Sequence, residues 1–307
     1  MNALDPLLAS AVAAALPLMV AALGELVAER AGVLNLGLEG MMLVGALAAF
    51  ITVSHQGGLA LGVLAGMGAG ALLALVFGFV TLTLQANQVA AGLSLTILGS
   101  GLSAFLGRQY VGFPSAQSFQ PLKIPYLGDL PLVGEALFSM NALGYLAVVL
   151  LFALLWFLYR TRAGLVLRSI GESPWVARSL GLPVMPVRYL AVAFGGAMSG
   201  LAGAYYTLAQ FKMWQEGVTS GNGWIALALV VFATWRPARV AAGALLFGGV
   251  TAAGLFLQAR GVHVSTFALG SLPYLATIVV LVAISADRQM ILRHAPASLG
   301  KPFHDTA

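Results

Sequence analysis

Residues 141–160 read NALGYLAVVLLFALLWFLYR, nineteen positions without a formal charge, closed by Arg160. At roughly 1.5 Å per residue such a run spans about 30 Å, the thickness of a bilayer's hydrocarbon core. Only α-helices and closed barrels satisfy their backbone in lipid, and the run has no apolar/polar alternation, so it predicts a helix. The same kind of run recurs on both sides, at about 7–23, 33–53, 59–83, 89–107, 189–208, 217–235, 240–257 and 268–285. Together they predict an all-α membrane protein, a polytopic helical bundle of about nine transmembrane helices, with 1–307 as one transmembrane domain.

The whole chain agrees with this pattern. Of 307 residues, 60% are apolar and 8% charged, against roughly 45–50% and 25% in soluble domains. So few charges cannot cover a water-soluble globule, which disfavours a soluble enzyme, a nucleic-acid binder and a disordered scaffold. There are no cysteines, so disulfides, cysteine metal sites and thiol catalysis are excluded. The first basic residue is Arg30, which is not the pattern of a secretory signal, so the first apolar run is expected to remain as a helix.

The net charge of +5 follows loop placement. With nine spans and the N-terminus outside, the inside segments hold Arg30, Arg160, Arg162, Arg168, Arg178, Arg188, Arg236, Arg239, Arg288, Arg293 and Lys301. The outside segments hold only Arg108, Lys123, Lys212 and Arg260, so N-out/C-in is expected. Two loops exceed hairpin length: 108–140, an external excursion with Pro114, Pro121, Pro125 and Pro131, and 160–188, an internal loop with five Arg against Glu172. The tail 286–307 is expected to be a short, mobile cytoplasmic end.

Within the internal loop, residues 172–181 read ESPWVARSLG, the grammar of a very short helix. Ser173 can cap it, Pro174 suits its first position and Gly181 suits a left-handed stop. Glu172 stands at the positive end of the helix dipole, and Val176 and Leu180, four apart, share a face. Spacing alone allows two readings: a knob that plugs into a partner's groove, or an interfacial turn that joins two spans and snorkels its Arg residues to headgroups.

Further stretches carry a resemblance. Residues 32–42 (GVLNLGLEGMM), preceded by Gly24-Glu25-Leu26 and Glu29-Arg30-Ala31, resemble the N-terminal signature of ABC-importer permeases of the branched-chain amino acid/ribose/nucleoside superfamily, closest to the nucleoside-type subgroup. Residues 87–93 (NQVAAGL), the coupling segment Gly171 to Gly181, and 216–228 (EGVTSGNGWIALA) ending in Trp235-Arg236-Pro237 are similar to further segments of that subgroup, in the same order over about 15–285. Two departures stand out: Val176-Ala177 where an Ala pair is usual, and Asn222 where a basic residue is common.

The resemblance implies a permease subunit of an ATP-driven importer in the cell (inner) membrane. It would move a small polar solute, a nucleoside first and a simple sugar or branched-chain amino acid as alternatives, by alternating access. The expected partners are a cytoplasmic ABC ATPase, a second permease that is a different chain, and an external substrate-binding lipoprotein. No cofactor, metal or nucleic acid is implied. The chain itself has no phosphate-binding loop: its one Gly-Lys, Gly300-Lys301, lacks the glycine five residues earlier, so ATP chemistry is expected elsewhere. The implied ATPase-coupling residues are Arg168, Gly171, Glu172, Ser173, Pro174, Trp175, Val176, Ala177, Arg178, Leu180 and Gly181.

A path needs polar groups at membrane depth, where each is costly unless paired or wet. The candidates are Asn35 and Glu39 at the start of the second span, Asn87, Gln88, Ser94 and Thr96 in the fourth, and Asn222 and Trp224 opening the seventh. That span has only about 11 strongly apolar residues after Gly223, as in broken helices beside a path. Trp224 can stack on a flat base or sugar face. Asn35, Glu39, Asn87 and Gln88 can equally end helices or hold neighbours by hydrogen bonds. Glu25 and Glu29, four apart, read as a solvated helix end beside Arg30. Glycine totals 37, and Gly196-x-x-x-Gly200 and Gly195-x-x-x-Ser199-x-x-x-Gly203 predict close helix approach. The rivals are an intramembrane enzyme, disfavoured because His55, His263, His294 and His304 lie in turns or the tail, and an ion-coupled carrier, for which only Glu39 approaches a mid-depth ion site.

Overall fold

In a computed structural model of the protein, the described residues are 4–128, 130, 134–259, 271–272, 274–279, 282 and 294–303. Long apolar runs form α1 (Leu4–Arg30), α2 (Leu38–Ser54), α3 (Leu59–Gly78) and α4 (Gln88–Gly107). After a short α5 (Gly134–Phe138) come α6 (Ala142–Arg160), α7 (Arg162–Glu172), α8 (Pro174–Ser179), α9 (Val184–Tyr205), α10 (Asn222–Phe232) and α11 (Pro237–Ala259). A wide π turn extends α3 through Phe79–Thr83 and another extends α9 through Tyr206–Gln210. Six helical stretches among the described residues are long and apolar enough to cross a membrane, which makes the chain a multi-pass all-α membrane protein. Two more expected spans are shorter: α2, and α10 with 11 residues. Half of the expected span at 268–285 lies outside the described residues.

The centre of the bundle is α1, α2 and α9. From Ala15 to Glu29 every α1 residue is buried, and α2 buries residues on all sides. Backbone contact makes this density possible. A Cβ on Gly200 of α9 would lie 2.0 Å from the carbonyl oxygen of Gly66 in α3, and one on Gly203 2.0 Å from that of Met42 in α2. The small-residue spacing in α9 therefore serves two different neighbours. The outer helices α4 and α6 keep apolar faces open, with Phe105 78% and Phe152 64% exposed. Such faces suit lipid or a second membrane subunit, not water.

The described residues of the segment 108–140 are folded onto the bundle. Bridges pair Pro114 with Met213 and Pro121 with Asn141, and the Phe119 N–H donates to the Leu208 carbonyl at 2.9 Å. Trp214 is fully buried beside Gly107, where a Cβ would meet the indole ring at 2.3 Å.

Two expectations are corrected. The tail is not a free end over 294–303 but packs on the bundle: Phe303 and Ser298 are buried, and the Ser298 N–H donates to the Gly171 carbonyl at 3.0 Å. Nor are Glu25 and Glu29 a solvated end, since both are fully buried where α1 meets the 31–37 turn and the α10–α11 turn.

Candidate functional site

The expected span 33–53 is not one helix. Residues 31–37 leave α1, turn back into the bundle and only then start α2. Polar side chains hold this turn in place. The Asn35 N–H donates to Glu25 Oε1 at 2.9 Å, and Asn35 Oδ1 accepts from the Gly37 N–H at 2.9 Å. The Leu34 N–H donates to Gln88 Oε1 at 2.8 Å, and Thr96 Oγ1 donates to the Leu36 carbonyl at 2.9 Å. The start of α2 consequently lies against the middle of α4: a Cβ on Gly40 would sit 2.9 Å from the Thr96 Cα, and one on Gly99 2.6 Å from the Gly40 Cα.

A second discontinuous segment meets it there. From the Trp214 level the chain runs into the bundle, turns through Ser220 and Gly221, both with positive φ, and starts α10 at Asn222. The Glu39 carboxylate accepts from Thr219 Oγ1, from the Gly221 N–H at 3.0 Å and from the Gly223 N–H at 2.6 Å. Unpaired N–H groups and the helix dipole make a helix start electropositive. In discontinuous membrane helices this end commonly faces a ligand. Here the chain's own carboxylate occupies it, with Glu39 7% exposed.

The other end of α10 is also held by α1. Thr234 and Trp235 both have positive φ, at 49° and 54°, a conformation that costs non-glycine residues about 1–3 kcal/mol each. Three contacts fix it: the Trp235 indole N–H donates to Glu29, the Arg30 guanidinium donates to the Trp235 carbonyl at 2.7 Å, and Arg239 donates to Thr234 Oγ1. Carboxylates from the α1–α2 region thus clamp α10 at both ends. One oxygen of Glu25 and one of Glu29 have no hydrogen-bond partner among the described residues.

The structure gathers Asn35, Glu39, Gln88 and Thr96 around the 31–40 turn, with Asn222 and Trp224, both half-buried, on the first turn of α10. Asn87 and Ser94 stand apart, on the exposed face of α4. Asn87 caps that helix by accepting from the Ala90 N–H at 3.0 Å, and the Ser94 hydroxyl donates to the Ala90 carbonyl at 2.9 Å. Asn87 and Gln88 line a cavity of about 260 Å³ with Gln85, Gly300 and Pro302.

The loop 160–188 holds two helices where one was expected. Ser173 caps α8 by accepting from the Val176 N–H at 3.4 Å, Pro174 takes its first position, and Gly181 follows it at φ 78°. Ala177 and Pro174 face inward, whereas Trp175, Val176 and Leu180 are exposed at 48%, 59% and 74%. Arg168 lies over the Tyr159 ring at 5.4 Å, and Gly171 packs against the Arg30 carbonyl. Glu172 is exposed and Arg178 half-exposed. The unexpected helix α7 buries Leu167 and Ile170 and is capped by Thr161, which accepts from the Gly164 N–H at 3.0 Å. That cap, followed by small or apolar residues at 164, 167, 170 and 171, was the available signal.

Sequence reasoning also missed Thr219, Arg188, Ser298 and Phe303. Thr219-Ser220-Gly221 before an apolar run carries a helix-start pattern that points to Thr219. Nothing local marks the other three, because their contacts join residues more than 100 positions apart.

The family model described as "Branched-chain amino acid transport system / permease component" matches residues 7–286. A putative glucose ABC transporter permease protein of Haloferax volcanii is 44% identical over 97% of this chain and 97% of its own. A guanosine ABC transporter permease protein of Bacillus subtilis is 36% identical over 76% and 77%, and a nucleoside ABC transporter permease protein of Lactococcus lactis is 30% identical over 91% and 92%. The chain belongs to this permease family. It is a transport subunit and not an enzyme, with ATP hydrolysis on a separate chain.

Proposed function

We propose that this member of the branched-chain amino acid transport system/permease component family is the membrane subunit of an ABC importer for an uncharged polar solute, a nucleoside or a simple sugar. The path passes the place where α2 and α10 begin. Asn222 and Trp224 meet the solute there, and Asn87, Gln88 and Ser94 line the way to the Arg-rich end. That end is cytoplasmic, and α8 docks into the ATPase there through Trp175, Val176 and Leu180. A second, different permease chain covers the open apolar faces of this one, and an external binding protein delivers the solute. ATPase closure and opening rock the helices between two packings, so the path faces alternate sides.

The observation that supports this substrate class is Glu39 on the start of α10. A zwitterionic amino acid or a phosphorylated sugar needs a cationic or N–H-rich pocket for its anion. The N–H groups at the start of α10 are already taken by a carboxylate, so the junction disfavours a second anion. Neutral hydroxyl-rich solutes meet no such penalty, and the glucose, guanosine and nucleoside permeases above carry names of that class.

The test is uptake by proteoliposomes holding the permease pair and ATPase, with the binding protein outside. Labelled guanosine or glucose should accumulate, and labelled leucine should not. Accumulation of leucine alone would overturn the assignment.

A further inference from the structure

We propose that residues 298–303 form a strut that carries displacement of α8 to the 31–37 turn, with Phe303, Ser298 and Arg188 as positioning residues. The proposal rests on the reading of α8 as the ATPase contact.

Phe303 is 4% exposed and sits against Ile170, Ala177 and Val184, one residue from each of α7, α8 and α9. Its ring meets the Trp175 ring at 4.7 Å between centroids. Trp175 is about half exposed, so the side chain rests partly on the tail and is partly free for a partner. The Arg188 guanidinium lies over the Phe303 ring at 5.6 Å and is buried at 1% exposure. Arg188 Nε donates to the Ala31 carbonyl at 3.1 Å, and Arg188 Nη2 donates to Ser298 Oγ at 3.1 Å. Ser298 Oγ in turn donates to the Gly171 carbonyl at 2.6 Å. The contacts therefore run from Trp175 through Phe303 and Arg188 to Ala31, and Ser298 fastens the tail to the end of α7.

Ala31 opens the turn whose next residues hold Gln88, Glu25 and Thr96 and which leads to Glu39. There is no slack along the line. Gly32 has φ 84°, and a Cβ there would lie 2.2 Å from Ser298 Oγ and 2.9 Å from Arg188 Nη2. An interior packed this closely moves as a unit or switches packing; it does not deform gradually. The tail also lines the cavity beside Asn87 and Gln88 through Gly300 and Pro302. A push on Trp175 thus reaches both the start of α2 and the start of α4.

The experiment compares Phe303→Ala, Phe303→Tyr and Ser298→Ala in the complete complex in proteoliposomes. It reads ATPase co-purification, ATP hydrolysis, and uptake of whichever of labelled guanosine or glucose the wild type accumulates. Phe303→Ala and Ser298→Ala should keep the ATPase and its hydrolysis while solute carried per ATP falls about fivefold or more. Phe303→Tyr should restore the ratio, because it keeps the ring contact. An unchanged ratio in both variants would overturn the strut. So would loss of the ATPase from either, since the tail would then be docking surface. Ser298→Ala removes a single hydroxyl, so the comparison survives even if Phe303→Ala fails to insert. Leu180→Asp serves as the separate control for docking: if it keeps its ATPase and transports normally, the α8 reading falls whatever the tail variants do.

Discussion

At Glu39 three donors of one re-entrant segment converge on one carboxylate, which joins the two discontinuous segments directly. Glu39→Ala would orphan the Thr219 hydroxyl and two backbone N–H groups, at about 1–3 kcal/mol for each one that stays buried. It should lower the thermal midpoint of the detergent-solubilised permease well below that of wild type, and Glu39→Gln should cost less. An unchanged midpoint for Glu39→Ala would mean that α10 is held by packing alone. Asn87 contributes one helix cap, worth about 0.5–2 kcal/mol; Asn87→Leu or Trp224→Ala should cut uptake while the ATPase stays assembled. Normal uptake in both variants would remove them from the path. The polar character of Asn35, Glu39 and Gln88 was legible in the sequence, because such residues inside apolar runs need partners. Which partners they take was not. Glu25 and Glu29 read as a solvated end because Arg30 follows them; only the return of residues 31–37 and the arrival of Trp235 bury them.

At the scale of elements, local signals were read well where they are local. The cap, proline and glycine of α8 stand where the sequence put them, and the shortness of α10 was visible in its apolar count. The break before α2 was hidden, since 33–53 is apolar apart from Asn35, Glu39 and Thr52 and its turn is imposed by Glu25, Gln88 and Thr96 from other elements. For α8 the energetics give a clear ranking. Burying one apolar side chain such as Leu180 in a groove is worth roughly 1.5–3 kcal/mol, whereas an exposed ion pair at the rim gives about 0–1 kcal/mol. Leu180→Asp should therefore release the ATPase and stop uptake while the permease still inserts. Arg178→Ala should be much milder. Co-purification of the ATPase with each variant checks the ranking, and equal effects would contradict it.

For the molecule as a whole, composition and hydropathy specify a polytopic helical bundle, and the family match over residues 7–286 agrees with it. Orientation rests on the placement of basic residues. A cysteine at Ser118 should react with an impermeant thiol reagent applied from outside, and one at Ser179 should not; with no native cysteine the labelling has no background. The reverse pattern would move α8 to the wrong side for an ATPase. A separate ATPase, acting through this chain, is expected to drive solute through the bundle. The direct measurement is accumulation of labelled guanosine and glucose in proteoliposomes that carry the complete complex, with ATP supplied on the ATPase side. Uptake should require both ATP and the ATPase subunit, and no imposed proton or sodium gradient should replace them. Accumulation driven by an ion gradient in liposomes that lack the ATPase would contradict the account.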